Sequence, residues 1–170
     1  MSDPKNMIRE ILKKAYQIEV DGYTFYSMTA DQADKTADQE LFDKLARDET
    51  EHKAFLRDIM RGYEAKGAAA FNVDRRDSSL KEFTATIFTD KFKKQAEGAA
   101  FEMGVLSVGM QLESNAINYF SGAAKQSGEK EIKDFYGFLA GWEREHFEAL
   151  QKLFDVIKSD FWHESGFEPF

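Results

Sequence analysis

Apolar residues recur at intervals of three and four along most of the chain, the spacing of one face of an α-helix. The first run is Ile8, Ile11, Leu12, Ala15, Ile18, Gly22, Phe25, Tyr26 and Thr29, and it predicts a helix over about residues 6–33. The period breaks at Asp34 and Lys35. Thr36 with Gln39 then forms a capping-box pattern, the mark of a new helix start. Leu41, Phe42, Leu45, His52, Phe55, Leu56, Ile59 and Met60 carry this second helix to about residue 66, where Gly67 suits a C-terminal stop. Between residues 67 and 93 no period is sustained, and Asp, Ser, Thr and Arg accumulate, as in a long crossover. A third helix is predicted over 94–126, with Val105, Val108, Leu112, Ala116, Ile117 and Phe120 on its apolar side. Ser127–Gly128 supplies a turn, and a fourth helix follows over 129–158. The tail, 159–170, holds Phe161, Trp162, Phe167 and Phe170, enough aromatic surface to predict packing against the bundle or a second subunit. The pattern is all-α: a four-helix bundle of two hairpins joined by a crossover, in a single domain over 1–170.

Composition supports this picture. The only prolines are Pro4 and Pro169, so no internal proline interrupts a helix. With 42% hydrophobic and 32% charged residues, the 170-residue chain has the make-up of a globular domain with a sizeable core. A net charge of -8 argues against nucleic acid or an anionic membrane as partner, and leaves cation binding open. The absence of cysteine excludes disulfides, thiolate zinc sites, iron–sulfur clusters and cysteine nucleophiles, and fits a cytoplasmic protein. Met1–Glu10 lacks the apolar core of a signal peptide. The most apolar stretch, Ala99–Leu112, is short and interrupted by Glu102, so no membrane span is expected.

The chain also repeats internally. Shifted by 94 residues, the two hairpins align without a gap: Glu19 falls on Glu113, Tyr26 on Phe120, Leu45 on Leu139, Glu49 on Glu143, His52 on His146 and Leu56 on Leu150. Glu19 and Glu49 are equidistant from residue 34, the predicted first break, and Glu113 and Glu143 are equidistant from residue 128, the predicted turn. Antiparallel helices folding back at those points set each pair of glutamates side by side. Residues three apart are neighbours on a helix, so Glu49 shares a face with His52, and Glu143 with His146. Four carboxylates and two imidazoles then converge in the middle of the bundle.

Their surroundings are apolar: Ala15, Gly22 and Tyr26 beside Glu19, and Gly109, Ala116 and Phe120 beside Glu113. Burying four carboxylates there is very costly unless cations compensate. Two divalent ions would leave the site close to neutral. Mixed oxygen and imidazole donors suit iron, manganese or zinc better than calcium or magnesium. Two glutamates plus two Glu-x-x-His pairs form the ligand set of the di-iron and di-manganese ferritin-like bundles. By contrast, Asp160-x-x-His163 lies in the tail without a repeat partner and reads as structural. Glu51 and Glu145 read as a solvated face, and Tyr23 and Tyr26 as core before hydrogen-bond donors to the ligands or redox-active groups.

Over residues 8–158 the chain resembles the ferritin-like superfamily, and within it the rubrerythrin-like proteins. The likeness is carried by Glu19 in QIEVDGYTFY, Glu49 and His52 in ARDETEHKAFL, Glu113 in MQLESNAINYF, and Glu143 and His146 in GWEREHFEAL. It implies a ferritin-like fold and a non-haem centre of two metal ions, iron before manganese or zinc, that reduces hydrogen peroxide or dioxygen. Glu49 and Glu143 would be the bridging carboxylates. The best-known members carry a cysteine-ligated rubredoxin domain, which a chain without cysteine lacks, so an external electron-donor protein is expected, together with a homodimer or higher homo-oligomer. Those members also carry an extra carboxylate one turn after the third-helix glutamate, where this chain has Ala116. The remaining six-ligand set is as close to bacterioferritin, which makes iron handling or storage an alternative function and a di-manganese catalase-like activity another.

Overall fold

A computed structural model describes residues 4–33, 36–71 and 99–164. Helix α1 spans Pro4–Gln32 and α2 spans Thr36–Lys66; a short 3₁₀ segment, Gly67–Phe71, follows. Helix α3 spans Ala99–Gln126 and α4 spans Lys130–Glu164. Among the described residues there is no strand. The chain is an all-α four-helix bundle.

The helix ends follow local chemistry. Pro4 opens α1, a position where its fixed φ and missing N–H cost nothing. Gly67 ends α2 with φ +62°, a left-handed conformation that glycine alone adopts freely. Between α3 and α4, the Ser127 backbone N–H and hydroxyl both donate to the Ala123 carbonyl, at 3.1 and 2.9 Å, closing the last turn before Gly128. Helix α2 does begin at Thr36, although the Thr36 side chain lies outside the described residues, as do residues 72–98 and with them most of the expected crossover and the first residues of the expected third helix.

One boundary needs correction. The fourth helix continues to Glu164, six residues beyond the expected end at 158, so half of the expected tail is helical. No glycine or proline occurs between Ile157 and Gly166, and aromatic residues continue a helix at small cost. Trp162 is half-buried; Phe167 and Phe170 lie outside the described residues.

Hairpins α1–α2 and α3–α4 are the most closely packed pairs. The core falls into two apolar clusters, one at each end of the bundle. One joins Ile8, Leu12, Ile59, Phe71, Phe120 and Phe135. The other joins Tyr26, Leu41, Leu45, Leu106, Leu150 and Leu153. Because that second cluster unites the end of α1, the start of α2, the start of α3 and the later part of α4, helices α1 and α4 run one way and α2 and α3 the other. Helix α2 thus ends at the opposite end of the bundle from where α3 begins, which is the arrangement a long crossover serves. Repeat-equivalent residues do equivalent work: Tyr26 and Phe120, Leu45 and Leu139, and Leu56 and Leu150 are all fully buried. Each such side chain contributes about 1.5–3 kcal/mol by leaving water. Between the two clusters, at mid-height, the core turns polar.

Candidate metal centre

Each helix contributes to this polar layer. Glu19 comes from α1, Glu49 and His52 from α2, Glu113 from α3, and Glu143 and His146 from α4, and none is more than 5% exposed. All six residues singled out in the sequence are brought together here.

Their donor atoms form two groups that share one member. Oxygen or nitrogen atoms of Glu19, Glu49 and His52 lie within 4.8 Å of one another, and so do those of Glu49, Glu113, Glu143 and His146. Glu49 is common to both. Its Oε2 is 3.5 Å from His52 Nδ1 and its Oε1 is 3.2 Å from His146 Nδ1. His52 Nδ1 is also 3.1 Å from Glu19 Oε2, and His146 Nδ1 is 3.6 Å from Glu113 and 3.8 Å from Glu143. The two imidazoles lie 5.2 Å apart, only 17° from parallel, and each presents Nδ1 to the carboxylates.

Gly22 makes room for the shared carboxylate. A Cβ at that position would sit 2.7 Å from Glu49 Oε1 and 2.9 Å from its Cδ, closer than unbonded atoms approach. Glycine is needed here for close approach, not for turn geometry.

Despite this crowding, several polar atoms have no hydrogen-bond partner among the described residues: Glu19 Oε1, Glu49 Oε2, Glu143 Oε1 and His146 Nδ1. Buried acceptors and donors are normally satisfied, and each one left over costs about 1–3 kcal/mol. Four such atoms around one mid-bundle layer fit a site completed by cations. The donor set agrees, being carboxylate oxygen and imidazole nitrogen with no thiolate.

Proton affinities reflect the same frustration. Burial pushes Glu19 up to about 8, assisted by the charge of Glu49. Burial and the charges of Glu19, Glu113 and Glu49 raise Glu143 well above the ordinary carboxylate value. Burial acts on Glu113 in the same sense, but contacts with His146, Glu143 and the Tyr26 hydroxyl outweigh it and hold Glu113 low. For His146, burial disfavours the charged ring, yet Glu49 and Glu113 prevail and raise it well above 6.5. Without metal, the cluster manages its charge with protons.

Two expectations about neighbouring residues change. Tyr26 is more than core packing: its hydroxyl donates a hydrogen bond to Glu113, and burial together with the charges of Glu113 and Glu49 keeps the phenol protonated. Tyr23 is not core at all; it is 39% exposed, with the Lys53 ammonium 3.6 Å from its ring centre. Glu51 is exposed as expected, whereas Glu145 is half-buried. His163 has a helical backbone, and its side chain lies outside the described residues. Helical spacing alone does not single out Asp48, Lys44 and Trp142, which stand behind the two histidines. The signal that could have found them is the repeat, because Asp48 and Trp142 occupy equivalent positions (142 − 48 = 94).

A four-helix bundle whose mid-layer gathers two glutamates and two Glu-x-x-His pairs is of the ferritin-like class. The rubrerythrin family model matches residues 10–154, which includes most of each helix and all six side chains, and the chain belongs to the rubrerythrin family. Membership places it among the di-iron proteins of that family. No curated protein and no solved structure matches the chain. No helix of the described residues is long and apolar enough to cross a membrane.

Proposed function

We propose that Glu19, Glu49, His52, Glu113, Glu143 and His146 hold two metal ions, iron in the working protein, and that the centre reduces hydrogen peroxide or dioxygen. The observation that carries this reading is Glu49, one buried carboxylate standing between two donor groups, each with its own imidazole. Two ferrous ions held there would supply the two electrons that, with two protons from solvent, convert hydrogen peroxide to two waters.

The protein's own residues set the conditions. The apolar clusters above and below the layer exclude bulk water, which strengthens every electrostatic contact inside. Tyr26 fixes the orientation of Glu113 through its hydroxyl. Glu19 and Glu143, whose protons are tightly held in the metal-free cluster, give them up as cations bind, so metal uptake releases protons. Re-reduction then calls for an electron donor outside these 170 residues, which include no cysteine to ligate a rubredoxin-type iron.

Anaerobic ferrous protein, mixed in a stopped-flow instrument with hydrogen peroxide or with dioxygen, tests the reaction. Absorbance from iron oxidation is expected to rise much faster than with free ferrous ion, and one oxidant is expected to be clearly preferred. Oxidation no faster than free iron with either oxidant would contradict the proposal.

Ala116 favours a second reading. It is 3% exposed and packs into an apolar cluster, so this position supplies no fifth carboxylate and leaves a six-residue set of four carboxylates and two imidazoles. Such a set also suits admission and oxidation of iron for storage, which demands a hollow shell of many subunits. Light scattering after size exclusion separates the readings, because a homodimer cannot enclose a mineral core.

A further inference from the structure

The six polar residues repeat between the hairpins, but what stands behind the two imidazoles does not. Asp48 and Trp142 occupy equivalent positions in the repeat, and each lies against the histidine of the other hairpin. Asp48, on α2, places Oδ2 3.9 Å from Nε2 of His146 on α4. Trp142, on α4, stacks on His52 of α2 with ring centres 3.9 Å apart and planes 2° from parallel. The layer repeats in the identity of its donor residues and is one-sided in its support.

The difference bears on metal binding because both imidazoles face the carboxylates through Nδ1. A cation on Nδ1 leaves the ring proton on Nε2, which then needs an acceptor. For His146 that acceptor is at hand. Asp48 is 7% exposed, its Oδ1 is held by the Lys44 ammonium one turn earlier on the same helix, and its Oδ2 has no hydrogen-bond partner among the described residues. The 3.9 Å separation is that of an ion pair, too long for a direct hydrogen bond. It leaves a buried, unsatisfied carboxylate oxygen beside the one ring nitrogen that metal binding turns into an obligatory donor. Among the described residues His52 has no equivalent: its ion pairs both run through Nδ1, and its face is covered by an indole, a group that donates hydrogen bonds and does not accept them. The donor groups are unequal in the same direction. His146 is grouped with Glu49, Glu113 and Glu143, and His52 with Glu19 and Glu49 alone.

We propose that Asp48 is a positioning residue that makes the two metal positions inequivalent: the His146 position binds a divalent cation first and more tightly, and the His52 position, backed by Trp142, binds second and releases first. A carboxylate behind a ligating imidazole raises its basicity and fixes its orientation, and removing such a partner weakens metal binding by about 10–100-fold. A stacked indole fixes orientation without adding charge. The inference rests on the reading of the layer as a two-metal centre.

Stepwise Co(II) titration, followed by calorimetry and by the visible ligand-field bands, tests it on the wild type, Asp48→Asn and Trp142→Phe. The wild type is expected to take up two equivalents in two unequal steps. In Asp48→Asn the tighter step weakens by about 10–100-fold while the weaker step holds. Trp142→Phe keeps the tighter step. Should Asp48→Asn fail to fold, His146→Ala and His52→Ala give the order directly, the first abolishing the tighter step and the second the weaker. Two equal steps in the wild type, a tighter step untouched by Asp48→Asn, or the reverse order in the histidine variants would overturn the inference and leave the two-metal reading standing. A wild type that takes up no Co(II) would overturn both.

Discussion

Replacing Glu49 by glutamine is expected to abolish binding of both metal ions, not of one. Glu49 is the single residue common to the two donor groups, with one oxygen near His52 and the other near His146. Glutamine preserves the shape and removes the charge, so both positions lose an anionic ligand together. Metal analysis after ferrous loading and desalting should give close to two equivalents for the wild type and close to none for Glu49→Gln. One equivalent retained in full would show that Glu49 serves a single position. Gly22→Ala reaches the same carboxylate from the facing helix. Its Cβ would occupy the space of Oε1 and Cδ, and since those atoms end a flexible side chain, the carboxylate moves rather than the fold. Weakened uptake of both equivalents with a nearly unchanged metal-free melting temperature is the expected result.

The second large effect is on stability, and its sign depends on metal. Burial holds the Glu19 proton up to about pH 8 in the folded, metal-free protein, against 4.5 for the free side chain. Glu143 is shifted in the same direction. In this window the folded state binds protons that the unfolded chain has released, so stability falls as pH rises from about 4.5 through 8, by about 1.4 kcal/mol per pH unit for each proton. The raised His146 adds to the fall above 6.5. Glu113 is held low; its contribution is lost as pH drops below 4.5 and does not offset the trend. The metal-free protein should therefore melt several degrees lower at pH 8 than at pH 6, each 1 kcal/mol being worth about 2–4 °C for a chain of this size. Bound cations replace those protons and compete better as pH rises, so the gain in melting temperature on loading should grow from pH 6 to pH 8, and chelation should reverse it. Glu143→Gln, which mimics the protonated side chain, should flatten the metal-free slope. Scanning calorimetry with and without chelator at the two pH values checks all three. A metal-free melting temperature that rises between pH 6 and pH 8, or a transition indifferent to chelation, would count against a buried, charge-compensated centre.

Much of this arrangement was legible in the sequence because two periodicities reinforce each other. The helical period located the hairpins, and the 94-residue repeat set Glu19, Glu49 and His52 against Glu113, Glu143 and His146 at one height, where the structure gathers them. Less legible were features that depend on directions across the bundle. Tyr26 and Tyr23 are three residues apart on one helix, yet a modest difference in facing direction takes one to Glu113 and leaves the other at the surface under Lys53. Asp48 stands next to a predicted ligand, and only inter-helix geometry shows it reaching the histidine of the other hairpin. Trp142 carries no signal of its partner in the sequence, since stacking on one particular imidazole leaves no trace in spacing. The end of α4 was misplaced because a helix without a strong stop signal runs on until something breaks it, and none occurs before Gly166.

The most direct test of the central claim is anomalous X-ray diffraction at the iron edge from crystals loaded anaerobically with ferrous ion. The account predicts two anomalous peaks per chain at mid-bundle, one beside His52 with Glu19 and Glu49, the other beside His146 with Glu49, Glu113 and Glu143. Absence of a peak among these six side chains, or iron found only elsewhere on the molecule, would contradict it.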